Sequence, residues 1–251
     1  MDGTLTASKR PLTKAQASAF SRFARGRNVA VISGAGFPQM RKQFVSRLPK
    51  GKAMPDFFAL ALNGGELWMR KEERRKKKDT KGAKRWQRAY AVSFPIKLKK
   101  TALATAKKIN IKFPEYSVKK TYGVVVEDRG GQITYSALGK NAPLPKKHAW
   151  DPRGAKRLKM AQYLRKLLLK CDVGVAGMTS IDITPKGLTK EFGVKRAMKA
   201  AGTRPAETVF VGDAVFRGGN DAPARRAGVK MVGVKNPRET YAWMRHFVAN
   251  S

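Results

Sequence analysis

Short unbroken apolar runs alternate along this chain with longer segments whose apolar residues return every third or fourth position, the signatures of buried strands and of helices with one buried face. Residues 28–33 (NVAVIS), 57–62 (FFALAL), 208–212 (TVFVG) and 229–234 (VKMVGV) read as buried strands. Between them the spacing predicts helices. One runs to Arg25, with Thr13 as its cap, Ala15, Ala19, Phe20 and Phe23 on one face, and Gly26 as its stop. Others are expected over about 38–48, 190–201, 222–227 and 237–248. Strands that take turns with helices in this way predict an α/β fold with a Rossmann-like, doubly wound parallel sheet.

The middle third breaks that rhythm. Asn63-Gly64-Gly65 is a tight-turn signal leading into the strand ELWMR, and YAVSF (90–94) is strand-like. A basic helix is expected over about 98–109, then two β segments, 122–129 and 132–138, flanking Gly130-Gly131 as a hairpin. A second basic helix covers about 153–170 with Leu158, Tyr163, Leu164, Leu167 and Leu168 on its buried side, and 173–184 reads as strand. Elements that do not strictly alternate imply an inserted α+β domain with an antiparallel sheet. The expected organisation is a core in two parts, 1–83 and 186–251, around an insert at 84–185, with no internal repeat.

Charge changes the picture. The 251 residues are 42% hydrophobic, enough for a folded core, yet Lys plus Arg number 54 against 17 Asp plus Glu, a formal net charge of +37. Such a field repels itself unless a polyanion neutralises it, so the expected partner is structured RNA, ribosomal RNA first, with ribosomal proteins as possible neighbours. The run RKEERRKKKDTKGAKRWQR supplies candidate phosphate contacts at Arg74, Arg75, Lys76, Lys77, Lys78, Lys81, Lys84 and Arg85, with Trp86 as an aromatic among them. Lys146, Lys147, Arg153, Lys156 and Arg157 are further candidates. No apolar run approaches a membrane span, no secretory h-region opens the chain, and the single Cys171 fits a reducing compartment. An intracellular place, cytoplasm or mitochondrion and ribosome-associated, is therefore expected, with no membrane partner. His148 and His246 lack metal-ligand spacing.

The candidate chemistry lies in TVFVGDAVFRGGND. A buried strand delivers Asp213 at its C-terminal end, where open α/β sheets bind ligands, and Gly218-Gly219 let the chain fold back so that Asn220 and Asp221 approach it. Oxygen donors on a turn suit Mg²⁺.

Four separated fragments, Asp2-Gly3-Thr4-Leu5, Ser33 at a strand end, Lys190 in PKGLTKEFG, and Asp213 with Asp221, together resemble the four motifs of the haloacid dehalogenase (HAD) superfamily. GGND, NGG and IDITPKGLTK make the chain similar to the branch with a large α/β cap, that of Cof-type phosphatases and eukaryotic phosphomannomutases. The resemblance implies a HAD-like core, a cap in the middle third, and Mg²⁺-dependent phosphoryl transfer. In it Asp2 would be general acid and base, Ser33 would bind phosphoryl oxygens, Lys190 would offset charge, and Asp213, Asp221 and Asn220 would hold the metal. Asn63, Gly64, Gly65, Arg129, Lys140, Ser180 and Asp182 would contact the substrate. The superfamily pattern is Asp-x-Asp-Gly-Thr after a hydrophobic strand, and here x is Met1, so the nucleophilic Asp and its strand are expected either upstream of Met1 or from another segment. The expected function is thus a strongly basic RNA-binding structural or assembly component of a ribosome on a HAD-like fold, catalytically impaired as it stands. The alternative is a HAD-type phosphatase or phosphomutase acting on a small sugar phosphate.

Overall fold

The computed structural model describes residues 1–7, 10–50, 53–72 and 84–249. Its helices are α1 (Lys14–Ala24), α2 (Phe37–Gln43), α3 (Ile96–Lys107), α4 (Ile109–Lys112), α5 (Leu144–Trp150), α6 (Ala155–Leu167), α7 (Lys190–Ala201) and α8 (Pro237–Ala249). Its strands are β1 (Ala30–Ile32), β2 (Phe58–Ala61), β3 (Glu66–Glu72), β4 (Lys84–Ala91), β5 (Val126–Asp128), β6 (Ile133–Ser136), β7 (Cys171–Ala176), β8 (Ser180–Pro185), β9 (Val209–Gly212) and β10 (Lys230–Gly233). They fall into two compact units, Met1–Ala91 with Lys190–Ser251, and Val92–Thr189. No helix among the described residues is long and apolar enough to cross a membrane.

In the first unit β1 and β2 are parallel, while β3 and β4 extend the sheet antiparallel; β9 and β10 form a separate parallel pair. Side chains alternate across a strand, so each strand feeds two cores. Val31, Ala59 and Ala61 pack with Phe20 of α1 and with Tyr241 and Met244 of α8. Ile32 turns the other way, to Val194 and Met198 of α7 together with Phe210 of β9. Helices on both faces make this the doubly wound α/β core that the alternation predicted. Local chemistry starts α1 at Lys14: Thr13 and Gln16 bond each other's backbone N–H groups at 3.2 and 3.0 Å in a capping box.

The strand β4 pairs along its length with β3 and belongs to the first unit, although the sequence reading placed 84–91 in the insert. Trp86 explains the pairing. Its ring packs on Phe37 and Phe57, with centroids 5.4 and 5.0 Å away, so it anchors the hairpin to the core and is not a surface contact in a basic run.

The second unit is an antiparallel sheet in the order β5-β6-β8-β7. Ile133, Tyr135, Ile181 and Ile183 share its core with Ala102 and Ala106 of α3 and with Met160, Ala161 and Leu164 of α6. Residues 173–184, expected as one strand, fold as two, because Gly177 takes a left-handed φ of 48° and reverses the chain between β7 and β8. In α6 the buried side is narrower than expected: Leu158 and Leu167 are 47% and 52% exposed, and Met160 and Ala161 take the inward positions.

Candidate functional site

At the end of β9 the chain passes through Gly212 into Asp213. A Cβ on Gly212 would run into the Asp221 carboxylate, so glycine is what allows the returning turn to close. A reciprocal pair closes it: Asp221 N–H donates to Ala214 C=O at 3.1 Å, and Ala214 N–H donates back to the side-chain Asp221 Oδ2 at 3.0 Å. Gly218, at φ 87°, supplies the left-handed step. The other oxygen of Asp221 accepts from Lys190 Nζ, the first residue of α7, and both side chains are buried, 3% and 8% exposed. Burial alone would push the Asp221 carboxyl up; the charge and hydrogen bond of Lys190, with the Ala214 N–H, outweigh it and hold the group below the usual carboxylate range.

The N-terminal turn closes against the same place. Gly3, at φ 80°, has no room for a side chain because a Cβ there would collide with Asp213. Thr4 Oγ1 donates to Asp213 Oδ1 at 2.6 Å, and Asp2 Oδ1 accepts from Thr6 Oγ1 at 3.3 Å and Gln43 Nε2 at 3.5 Å. The Met1 amino group donates to Ile32 C=O at 3.4 Å, one residue before Ser33. That amine is buried, and burial first, then Lys190, push it below its ordinary value, while Asp221, Asp2 and Asp213 pull it up. Ser33 is buried, and its Oγ accepts from Ala35 N–H at 3.1 Å. Gly3 and Thr4 stand in the first motif fragment, but the sequence does not show what they touch: the Thr4 bond to Asp213 spans most of the chain, and the need for glycine at Gly3 is set by that distant carboxylate.

Between β1 and β9 lies a cavity of about 550 Å³, lined by Val31, Ile32, Val209, Val211, Met244 and Thr240 among others. In β1, Val29 and Ser33 bond β2, so Ala30 and Ile32 turn their backbone groups to the cavity side. In β9, Thr208 and Gly212 bond β10, so Val209 and Val211 likewise turn theirs away from it. Thr240 Oγ1, buried at the cavity wall, has no hydrogen-bond partner among the described residues.

The profile of the eukaryotic phosphomannomutase family matches residues 101–249, more than half of the chain. The chain belongs to that family. It is accordingly a HAD-superfamily protein with a cap, and the solved structures it resembles have that fold. An IMP-nucleotidase of Plasmodium falciparum with IMP bound aligns at 14% identity with a TM-score of 0.68, over 98% of this chain and 66% of that one. A haloacid dehalogenase-like hydrolase from Bacteroides thetaiotaomicron aligns at 13% identity and TM-score 0.59, over 98% and 96%. Trehalose-6-phosphate phosphatase of Aspergillus fumigatus aligns at 15% identity and TM-score 0.50, over 100% and 90%. The chain therefore spans about two thirds of the length of the nucleotidase. No curated protein sequence matches it.

Within this HAD-type frame the remaining candidates separate by role. Gly64, at φ 98°, touches Gly193 of α7 so closely that a Cβ would strike its Cα, and its carbonyl accepts from Tyr90 Oη at 2.7 Å. Gly64 is thus a packing glycine. Asn63 is left-handed, at φ 58°, and its N–H donates to Ser33 C=O at 2.9 Å, which ties the turn carrying Gly65 to the site serine. In the second unit Arg129 and Lys140 both bind Glu127, while Ser180 meets Ser136 at 3.0 Å and Asp182 accepts from Thr134 at 2.8 Å. Each of those residues is held by a partner within the second unit.

For Mg²⁺ the donor set is uneven. Both oxygens of Asp221 are engaged by Lys190 and Ala214, whereas Asp213 is exposed and its Oδ2 has no hydrogen-bond partner among the described residues. No cluster of three or more His, Cys, Asp or Glu able to hold a metal occurs among the described residues. A cation that keeps its waters and takes one or two carboxylates plus phosphate fits Asp213; Asn220 is exposed on the same turn. Asp221 acts here as the partner of Lys190.

The proposed nucleic-acid contacts also separate. Arg74, Arg75, Lys76, Lys77, Lys78 and Lys81 lie outside the described residues. Lys84 and Arg85 are in β4, and Arg85 is exposed. Lys147 is buried, its Nζ donating to Lys140 C=O at 2.9 Å, and Arg157 is clamped on Asp151 at 2.8 Å. Neither is a surface cation, because each has a structural acceptor that the sequence does not mark. Lys146 and Arg153 are exposed and Lys156 is half-buried.

Proposed function

We propose that this chain carries a HAD-type phosphoryl-transfer site, that of a phosphatase or phosphomutase, with a sugar phosphate as substrate. The observation that carries the reading is the convergence of the motif residues at the tips of β1 and β9: the N-terminal turn closes on Asp213 through Gly3 and Thr4, and the buried Lys190–Asp221 pair closes the turn that follows Asp213. Phosphoryl transfer depends on positioning and on neutralising oxygens more than on covalent work by many groups. Ser33 Oγ would donate to a phosphoryl oxygen. Lys190, fixed by Asp221, would offset its charge. Asp2 would pass a proton to the leaving oxygen, oriented by Thr6 and Gln43. Mg²⁺, held through Asp213, would supply further neutralisation of the phosphate. The attacking carboxylate belongs, in this reading, to the end of an extended strand lying in the cavity between β1 and β9, beside the backbone groups that both strands turn toward it and the Thr240 hydroxyl.

The test is binding to the protein as it exists. Inorganic phosphate with Mg²⁺, at about a hundred times its dissociation constant, stabilises by about 2.7 kcal/mol, a rise of about 5–10 °C in Tm for a chain of this size. Asp213→Asn is expected to remove the Mg²⁺-dependent part and Ser33→Ala the phosphate part. An unchanged Tm with both ligands at millimolar concentration would refute the site.

A further inference from the structure

We infer that the second unit carries a docking surface for the phosphodiester backbone of a nucleic acid, centred on Lys112, Lys120, Lys146, Lys156 and Lys159. From Lys97 to Tyr122 there are eight lysines and one acid, Glu115, so this stretch cannot neutralise itself. Of the acids elsewhere in the unit, Glu127 is committed to Arg129 and Lys140, Asp128 to Lys99, Asp151 to Arg157 and Asp172 to Lys186, while Asp182 accepts from Thr134 on the sheet. None of the five lysines has a carboxylate partner among the described residues.

They are nevertheless held in place. Lys156 Nζ stands 5.4 Å from the Trp150 ring and 5.8 Å from Tyr116; Lys159 stands 5.7 Å from Tyr116 and 6.0 Å from Phe113; Lys112 lies 5.8 Å from Tyr163. Lys146 donates to Tyr122 Oη at 2.6 Å, and Lys120 stands 5.9 Å from the same ring. Trp150 Nε1 donates to Tyr116 C=O at 3.2 Å, which joins α5 to the turn before the loop that leads to Tyr122. Aromatic faces attract ammonium groups and restrict them without cancelling their charge. The result is an array of positioned, uncompensated cations drawn from α4, α5, α6 and the loop between Tyr116 and Tyr122.

Repulsion within such an array is relieved by a partner that offers several negative charges at once, which one small phosphate ester does not. Phe113 and Trp150 are buried beneath the lysines and closed to base stacking, which favours contact with the backbone. They are equally unavailable to a bilayer interface, although exposed Ile111 beside Lys112 makes a vesicle control necessary.

The test uses the full chain and duplexes of RNA and of DNA, followed by fluorescence anisotropy against salt. Five phosphates neutralised predict a slope of log affinity on log salt of about −4.5, and so roughly a 500-fold loss between 50 and 200 mM. Replacing Lys112, Lys120, Lys146, Lys156 and Lys159 with Glu is expected to lower affinity more than 100-fold and flatten the slope. The same reversal at Lys14, Arg41, Lys42, Arg47 and Lys50 of the first unit should change it less than fivefold. Should the reversed protein fail to fold, Gln at the five positions provides the comparison, with a loss above tenfold expected. Equal losses from both sets, a slope shallower than about −2, or tighter binding to phosphatidylserine vesicles than to either duplex would each overturn the inference. The comparison of RNA with DNA decides which backbone is preferred.

Discussion

At the residue scale the molecule turns on Lys190 and Asp221. A buried pair of this kind contributes little net stability compared with an apolar pair of equal size, but removing one partner strands the other charge. Lys190→Met should therefore cost about 3–5 kcal/mol, measured by denaturant unfolding, while a protein with both positions apolar should recover most of it. The pH dependence follows from the same contact. Asp221 titrates lower in the folded state than in the unfolded chain, where its pKa is about 3.9, so the unfolded state binds the proton first as pH falls. The stability it contributes is complete above that value and is lost as pH drops through the folded pKa. Lys190→Met should abolish this acid-side loss, and an unchanged profile would show that the pair does not carry it. Gly3 belongs to the same scale: Gly3→Ala would strain a left-handed turn and push a methyl into Asp213, so it should weaken Mg²⁺ binding together with stability.

At the element scale much could be read from the sequence, and the failures have common causes. The α1 start was legible because Thr13 and Gln16 act locally, and α7 and β9 because an apolar run and a helical period are local too. The β7–β8 hairpin was not, since apolar residues continue through Gly177 and nothing but its left-handed φ marks the reversal. Lys147 and Arg157 looked like surface cations for a similar reason: their acceptors, Lys140 C=O and Asp151, are known only from the fold. In the site, motif residues could be picked out singly, whereas Thr4 against Asp213 could not. The open edges of β1 and β9 are the element-scale feature with the largest consequence. An extended apolar peptide filling the cavity would pair both edges and the Thr240 hydroxyl, so a protein bearing such a strand ahead of Met1 should show slowed amide exchange at Ala30, Ile32, Val209 and Val211. Exchange as fast as in the chain alone would mean that the strand does not enter.

At the scale of the whole molecule a phosphoryl site and a net charge of +37 occur together. A single phosphate needs two or three cations, and the site already has Lys190, so the excess has to be explained separately. The aromatic-backed lysines of the second unit account for part of it with a surface that is tested independently of catalysis. The two readings can therefore fail apart: salt-steep duplex binding without hydrolysis would leave a HAD-family chain working as a binding protein, and hydrolysis without duplex binding would leave a phosphatase with a highly basic surface.

The central claim, that the tips of β1 and β9 form a phosphoryl-transfer site, is tested most directly by hydrolysis of p-nitrophenyl phosphate. The assay compares the chain as it stands with one carrying a hydrophobic strand that ends in Asp immediately before Met1, both with and without Mg²⁺. Mg²⁺-dependent turnover is expected only in the second, with Asp→Asn at the added carboxylate lowering the rate by several orders of magnitude, up to on the order of 10⁶ by analogy with other covalent nucleophiles. A folded, strand-bearing protein that binds Mg²⁺ and phosphate but hydrolyses nothing would contradict the account.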